Sequence, residues 1–204
     1  SYRHSFFPVD RINEHGVRLA SARAGNVIGG GDWTKHALIV DAFHALAADR
    51  PIEIRSPRAL RPWQHVLQCL SGYMTLAAKL LTTNDHQFCS GWNIGPLPGN
   101  ELPVQEVVEH FIKCWGSGEY VDSSDPNQLP EANILRLCID KAIWKLNWRP
   151  CWSTYDSLAK TVDWYQAYLQ TPDAMRTVSL SQIADYQHAL TSDQQELTTA
   201  NSPV

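Results

Sequence analysis

Two groups of residues in this chain have the types and spacing to grip a ligand. The first is the run Arg23-Ala24-Gly25-Asn26-Val27-Ile28-Gly29-Gly30-Gly31-Asp32-Trp33. It sets a side-chain amide and three glycines at the carboxyl end of an apolar stretch, the place where α/β proteins bind ligands. Glycine lets backbone N–H groups approach a ligand closely. An ordinary strand-to-helix turn explains the same run, and on local sequence alone it is the slightly better account. The run is neither GxGxxG nor a P-loop. The second group is Arg50, Arg55, Arg58 and Arg61, crowded together in a chain of net charge -4. Guanidinium groups grip phosphate bidentately. Taken singly, Arg50, Arg55 and Arg58 read as solvated loop residues. Arg61 differs, because Pro62, Trp63, His65 and Val66 follow it and lead into an apolar helix. Its charge therefore sits at a core edge, where it needs a partner.

Other candidates are weaker. His65 has the chemistry of a general acid or base, but a satisfied, partly buried histidine is the commoner outcome. The His residues show no HExxH and no clustered ligand spacing, so no metal site is read. Cys69, Cys89, Cys114, Cys138 and Cys151 are odd in number, scattered and without a CxxC pair. They read as reduced thiols of a cytoplasmic protein. There is no GxSxG elbow and no Cys–His nucleophile pair. No complete catalytic set is present.

These residues need elements to hold them. Residues 1–7 read as the tail of a helix stopped by Pro8, and residues 10–16 as a polar loop. Strands are expected at 17–24, at 51–55 on an edge, and at 91–96. Helices are expected at 35–49 and 66–81, the second apolar on most sides and therefore buried. The clearest amphipathic helix is 103–115, with Pro103 in its first turn and Gly116 at its C-cap. A short helix from Asp140 ends at Asn147 in a left-handed turn. Ser153 with Asp156 forms a capping box opening a helix to about residue 169. From Thr191 onward the chain is polar and aperiodic and reads as a flexible tail. Three short strands cannot cover these helices, and the chain opens on Ser1 in mid-pattern, so it reads as the second half of something larger.

At 44% hydrophobic and 19% charged the chain is globular rather than disordered. Its acidic balance gives no electrostatic case for nucleic acid or an anionic membrane. No window approaches the roughly 18 apolar residues of a membrane span, and no signal peptide is visible.

The order of motifs resembles the extended short-chain dehydrogenase/reductases that act on nucleotide sugars. The resemblance runs from Ser1-Tyr2-Arg3 to about Leu190. It rests on the glycine run above, on Arg61-Pro62-Trp63-Gln64-His65-Val66, on Gly91-Trp92-Asn93-Ile94-Gly95-Pro96, and on Lys141-Ala142 with Leu146-Asn147-Trp148-Arg149-Pro150. The Gly-Gly-Gly-Asp-Trp ending points to the branch that dehydrates CDP-glucose. The fold implied is α/β, the C-terminal part of an NAD(P)-binding Rossmann-fold enzyme with its smaller substrate domain. Residues 1–100 would hold terminal Rossmann strands and helices interleaved with substrate-domain segments, residues 101–190 mostly substrate domain, and 191–204 a flexible tail. The resemblance also implies roles. Asn26 and Arg61 would bind the sugar diphosphate, with Gly30, Trp33 and His65 beside the substrate, and Gly25 and Val27 near the nicotinamide of NAD. The family's Gly-rich motif and Tyr-x-x-x-Lys pair have no copy here, so this chain by itself is expected to be inactive. Cys138-Ile139-Asp140 stands where Asp-x-Ser is the family pattern, and Asn147 where Gly is usual. A homodimer is implied for the full-length protein. The alternatives are another nucleotide-sugar epimerase or dehydratase, or a non-catalytic, truncated binding product.

Overall fold

The computed structural model describes residues 2–125 and 132–200. Its strands are short and pair in twos. β1 (Ser21–Ala24) runs parallel to β6 (Gly91–Ile94), β2 (Asn26–Ile28) to β5 (Trp63–His65), and β3 (Ile52–Ile54) to β8 (Tyr120–Asp122). β4 (Leu60–Arg61) and β7 (Leu102–Pro103) are antiparallel. Sequence reading finds only three of these strands, because segments of two or three residues carry no periodicity. The single strand expected at 17–24 starts at Ser21, and the chain re-enters a strand after Gly25. The reason lies at Gly25 itself. A Cβ there would collide with Pro62, and the Asn26 N–H donates to the Pro62 carbonyl at 2.8 Å. The chain thus changes partner strand at a residue that must lack a side chain.

The helices are α1 (Tyr2–Phe6), α2 (Ile12–His15), α3 (Leu38–Ala47), α4 (Val66–Thr82), α5 (Val104–Trp115), α6 (Thr154–Gln170) and α7 (Met175–Ala200). The loop expected at 10–16 is helical and ends at Gly16 with φ +67. α3 begins at Leu38 rather than Lys35, because His36 adopts a left-handed φ of 65. Pro103 is the N-cap of α5 instead of its first turn, while Gly116 closes it in the left-handed region as expected. Asn147 ends a π-helical turn (Ala142–Leu146) at φ 54. Ser153 and Asp156 form the complete capping box of α6. α4 is not buried all round: Leu70, Met74 and Leu81 are exposed. The helix α7 runs through Ala200 where a tail was expected from 191, and 201–204 lie outside the described residues.

Two cores result. One joins α3, α5 and α6 over β2, β3 and β5 through Phe43, Val107, Phe111, Leu158, Val162 and Tyr165. The other gathers Leu76, Trp92, Ile94, Ile139, Leu146 and Trp148. Each draws residues from both sides of residue 100.

Candidate functional site

A cavity of about 610 Å³ opens where β2 and the turn after it meet the start of α3, β3 and β4. Its volume is in the range of small-molecule sites. The sequence candidates Gly25, Asn26, Val27 and Arg61 all line it. Backbone pairing fixes Asn26, which stands opposite Trp63 in the parallel register of β2 and β5. Its half-buried side-chain amide makes no hydrogen bond among the described residues. Arg61 is held by two carbonyls, with Nη1 donating to Leu60 at 3.0 Å and to Ala132 at 2.8 Å. Val27 exposes an apolar side chain on the same wall.

Helix α3 adds what its sequence did not show. Its N-cap is Ala37, which has no side-chain acceptor, so its first-turn N–H groups are not capped. Ala37, Leu38, Ile39 and Val40 line the cavity. Uncapped N–H groups and the positive end of the helix field attract an anion. Arg55, read from sequence as solvated, lines the cavity too. Its clustering with Arg61 was the available signal.

Three candidates lie elsewhere or do another job. Gly30 does not line the cavity. It is half-buried, and a Cβ there would penetrate the Trp164 ring, so its missing side chain serves the packing of α6. Trp33 is 46% exposed and sits among the rings of Phe43, Trp164, Tyr165 and Tyr168 rather than on the cavity wall. His65 is 1% exposed, and its Nδ1 accepts from the Leu67 N–H at 3.3 Å, capping α4. Burial, aided by Lys160, pulls its pKa down to about 4, so the ring is neutral near pH 7. This is a core histidine.

Tyr165 was missed by sequence reading because it lies inside a helical stripe. It reaches back to the cavity, its hydroxyl donating to the Asp32 carbonyl at 2.7 Å and its ring stacked on Phe43 at 4.4 Å. Burial pushes its phenol up to about 12. It therefore pins the turn after β2 as a neutral donor. Among the described residues no cluster of His, Cys, Asp and Glu could hold a metal ion, and no helix is long and apolar enough to cross a membrane.

The architecture is that of the Rossmann-type, extended short-chain dehydrogenase/reductases. Among solved structures, dTDP-glucose 4,6-dehydratase from Bacillus anthracis in complex with NAD superposes with a TM-score of 0.62 at 18% identity, over 83% of this chain and 50% of that one. UDP-glucose 4-epimerase from Thermotoga maritima with UDP-glucose gives 0.66 at 20% identity, over 82% and 52%. In sequence, the chain is a homologue of CDP-glucose 4,6-dehydratase. It is 39% identical to that protein from Salmonella typhimurium over 191 residues, which is 94% of this chain and 53% of the relative. The chain thus spans about half the length of the curated relative. No family model matches the chain.

Proposed function

We propose that this chain forms the sugar-nucleotide-binding half of an NAD-dependent nucleotide-sugar 4,6-dehydratase whose substrate is CDP-glucose. One observation carries the reading. The Asn26 amide, the Arg61 guanidinium and the uncapped first turn of α3 converge on one cavity. Each of these groups suits a diphosphate: an amide and a guanidinium as donors, and helix N–H groups as an anion cradle. The 39% identity to a CDP-glucose 4,6-dehydratase supports the choice of CDP-glucose.

When bound, NAD would supply the hydride chemistry at sugar C4 and C6 that accompanies loss of water across C5 and C6 to a 4-keto-6-deoxy sugar. The residues present fit only one end of that cofactor. Val27 offers an apolar wall for a nicotinamide ring, with Gly25 beside it. No glycine-rich dinucleotide fingerprint occurs in the sequence to cradle the cofactor's own phosphates. Here the chain's residues bind and orient. Arg61, fixed by its two carbonyl contacts, keeps its charge on the cavity wall. Tyr165 holds the turn after β2, which carries Asn26 at its root. In the assembled enzyme, a homodimer on this reading, the other half would supply the proton-transfer groups.

Ligand-observed NMR titration tests the assignment. The isolated chain binds CDP-glucose with a dissociation constant weaker than micromolar, because half of the site's walls are supplied elsewhere. Arg61→Met weakens binding by about tenfold, the loss of one charge-assisted contact. Micromolar or tighter affinity, or indifference to Arg61→Met, refutes the reading. Competing dTDP-, UDP- and GDP-hexoses separate this substrate from those of the epimerases that share the fold.

A further inference from the structure

Asp32, Asp41 and Glu53 also line the cavity. Beside Arg55, Arg61 and a helix N-terminus, a carboxylate opposes anion binding unless it has another task. Asp32 has one, its Oδ1 accepting the Thr34 N–H at 2.9 Å. Asp41 has another, standing in the first turn of α3, where the helix field favours negative charge. Glu53 has neither. It makes no hydrogen bond and no ion pair among the described residues. Alternation along β3 buries Ile52 and Ile54 at 1% and 0% exposure and turns Glu53 the other way, onto the cavity.

An ionised carboxylate only accepts hydrogen bonds. Next to a bound diphosphate it is tolerated when the ligand brings an N–H or O–H donor to it. A CDP-sugar carries two kinds of donor on its nucleoside: the exocyclic amine of cytosine and the ribose hydroxyls. Uracil presents a carbonyl in place of that amine, and the carboxylate repels that atom. We infer that Glu53 is a specificity determinant of this cavity, accepting a hydrogen bond from the nucleoside part of the ligand. The inference rests on the nucleotide-sugar reading above.

The test titrates the chain and its Glu53→Gln variant with CDP-glucose, UDP-glucose and 2′-deoxy-CDP-glucose by ligand-observed NMR, with Arg61→Met in parallel. Gln keeps the size of an exposed strand residue, and circular dichroism checks the fold. A preference of about tenfold for CDP-glucose over UDP-glucose that falls to parity in Glu53→Gln puts the donor on the base amine. Equal losses for both ribonucleotide sugars in Glu53→Gln, with the deoxy compound bound alike by both proteins, put it on the ribose. Either result supports the assignment. Unchanged or tighter binding of all three ligands by Glu53→Gln overturns it. The nucleotide-sugar reading then still stands if Arg61→Met weakens binding. Failure of the native chain to bind any of the three overturns both.

Discussion

Gly30→Ala separates two accounts of the glycine run, one in which Gly30 faces a ligand and one in which it makes room for α6. Gly30 is not among the positive-φ residues, so the backbone tolerates alanine. The added methyl does not fit. Its carbon would lie 2.5 Å from Trp164 Cβ and closer still to the indole ring. Trp164 has nowhere to go. It is 8% exposed, its Nε1 donates to Ser179 Oγ at 3.0 Å, and its ring stacks on Tyr168 at 5.8 Å. Overpacking a rigid site costs about 1–3 kcal/mol, and the locked indole puts this case at the upper end, about 3 kcal/mol. For a chain of this size that lowers Tm by roughly 6–12 °C. Thermal and urea unfolding followed by far-UV circular dichroism read the loss. Adding Trp164→Leu removes the clash, so the double variant is more stable than the two single losses summed. At temperatures where Gly30→Ala is folded, its affinity for CDP-glucose matches the native chain. An unchanged Tm together with lost binding refutes the packing account and returns Gly30 to the ligand.

Other consequences follow from single contacts. His65 has a folded pKa of about 4 against an ordinary histidine value of 6.5. The unfolded chain therefore binds the proton more readily. The stability this group contributes is present in full above pH 6.5 and is lost as pH falls toward 4, about 3 kcal/mol in all. Urea denaturation from about pH 7.5 to 4 shows a shallower decline in His65→Asn, which keeps a cap acceptor for α4; parallel declines disprove the assignment. Ser153→Ala removes one arm of the α6 capping box and costs about 1 kcal/mol in urea denaturation, with a cost below a few tenths counting against it.

Much of the local structure was legible in the sequence because its causes are local. The α6 capping box needs only Ser153 and Asp156, three residues apart. Gly116 and Asn147 stop helices through their own backbone freedom, and the apolar stripe of α5 shows which face is buried. The extended short-chain dehydrogenase/reductase resemblance was equally visible, because its motifs are short runs in a fixed order. Other features depend on groups distant in the chain. The exchange of strand partners at Gly25 requires Pro62 to lie against it. Tyr165 reaches Asp32 across 133 residues. His65, plausible as an acid or base by type, became a neutral cap once burial removed its solvation. Arg55 looked like a solvated charge until β3 and α3 enclosed a cavity around it. The sequence by itself determined the caps at Gly116, Asn147 and Ser153 and which family pattern the chain carries, since those follow from torsional preference and the order of residues. Only the tertiary structure decided which glycine makes room for a tryptophan, which histidine is silent and which charges share a cavity, since burial and through-space distance arise only when remote segments pack.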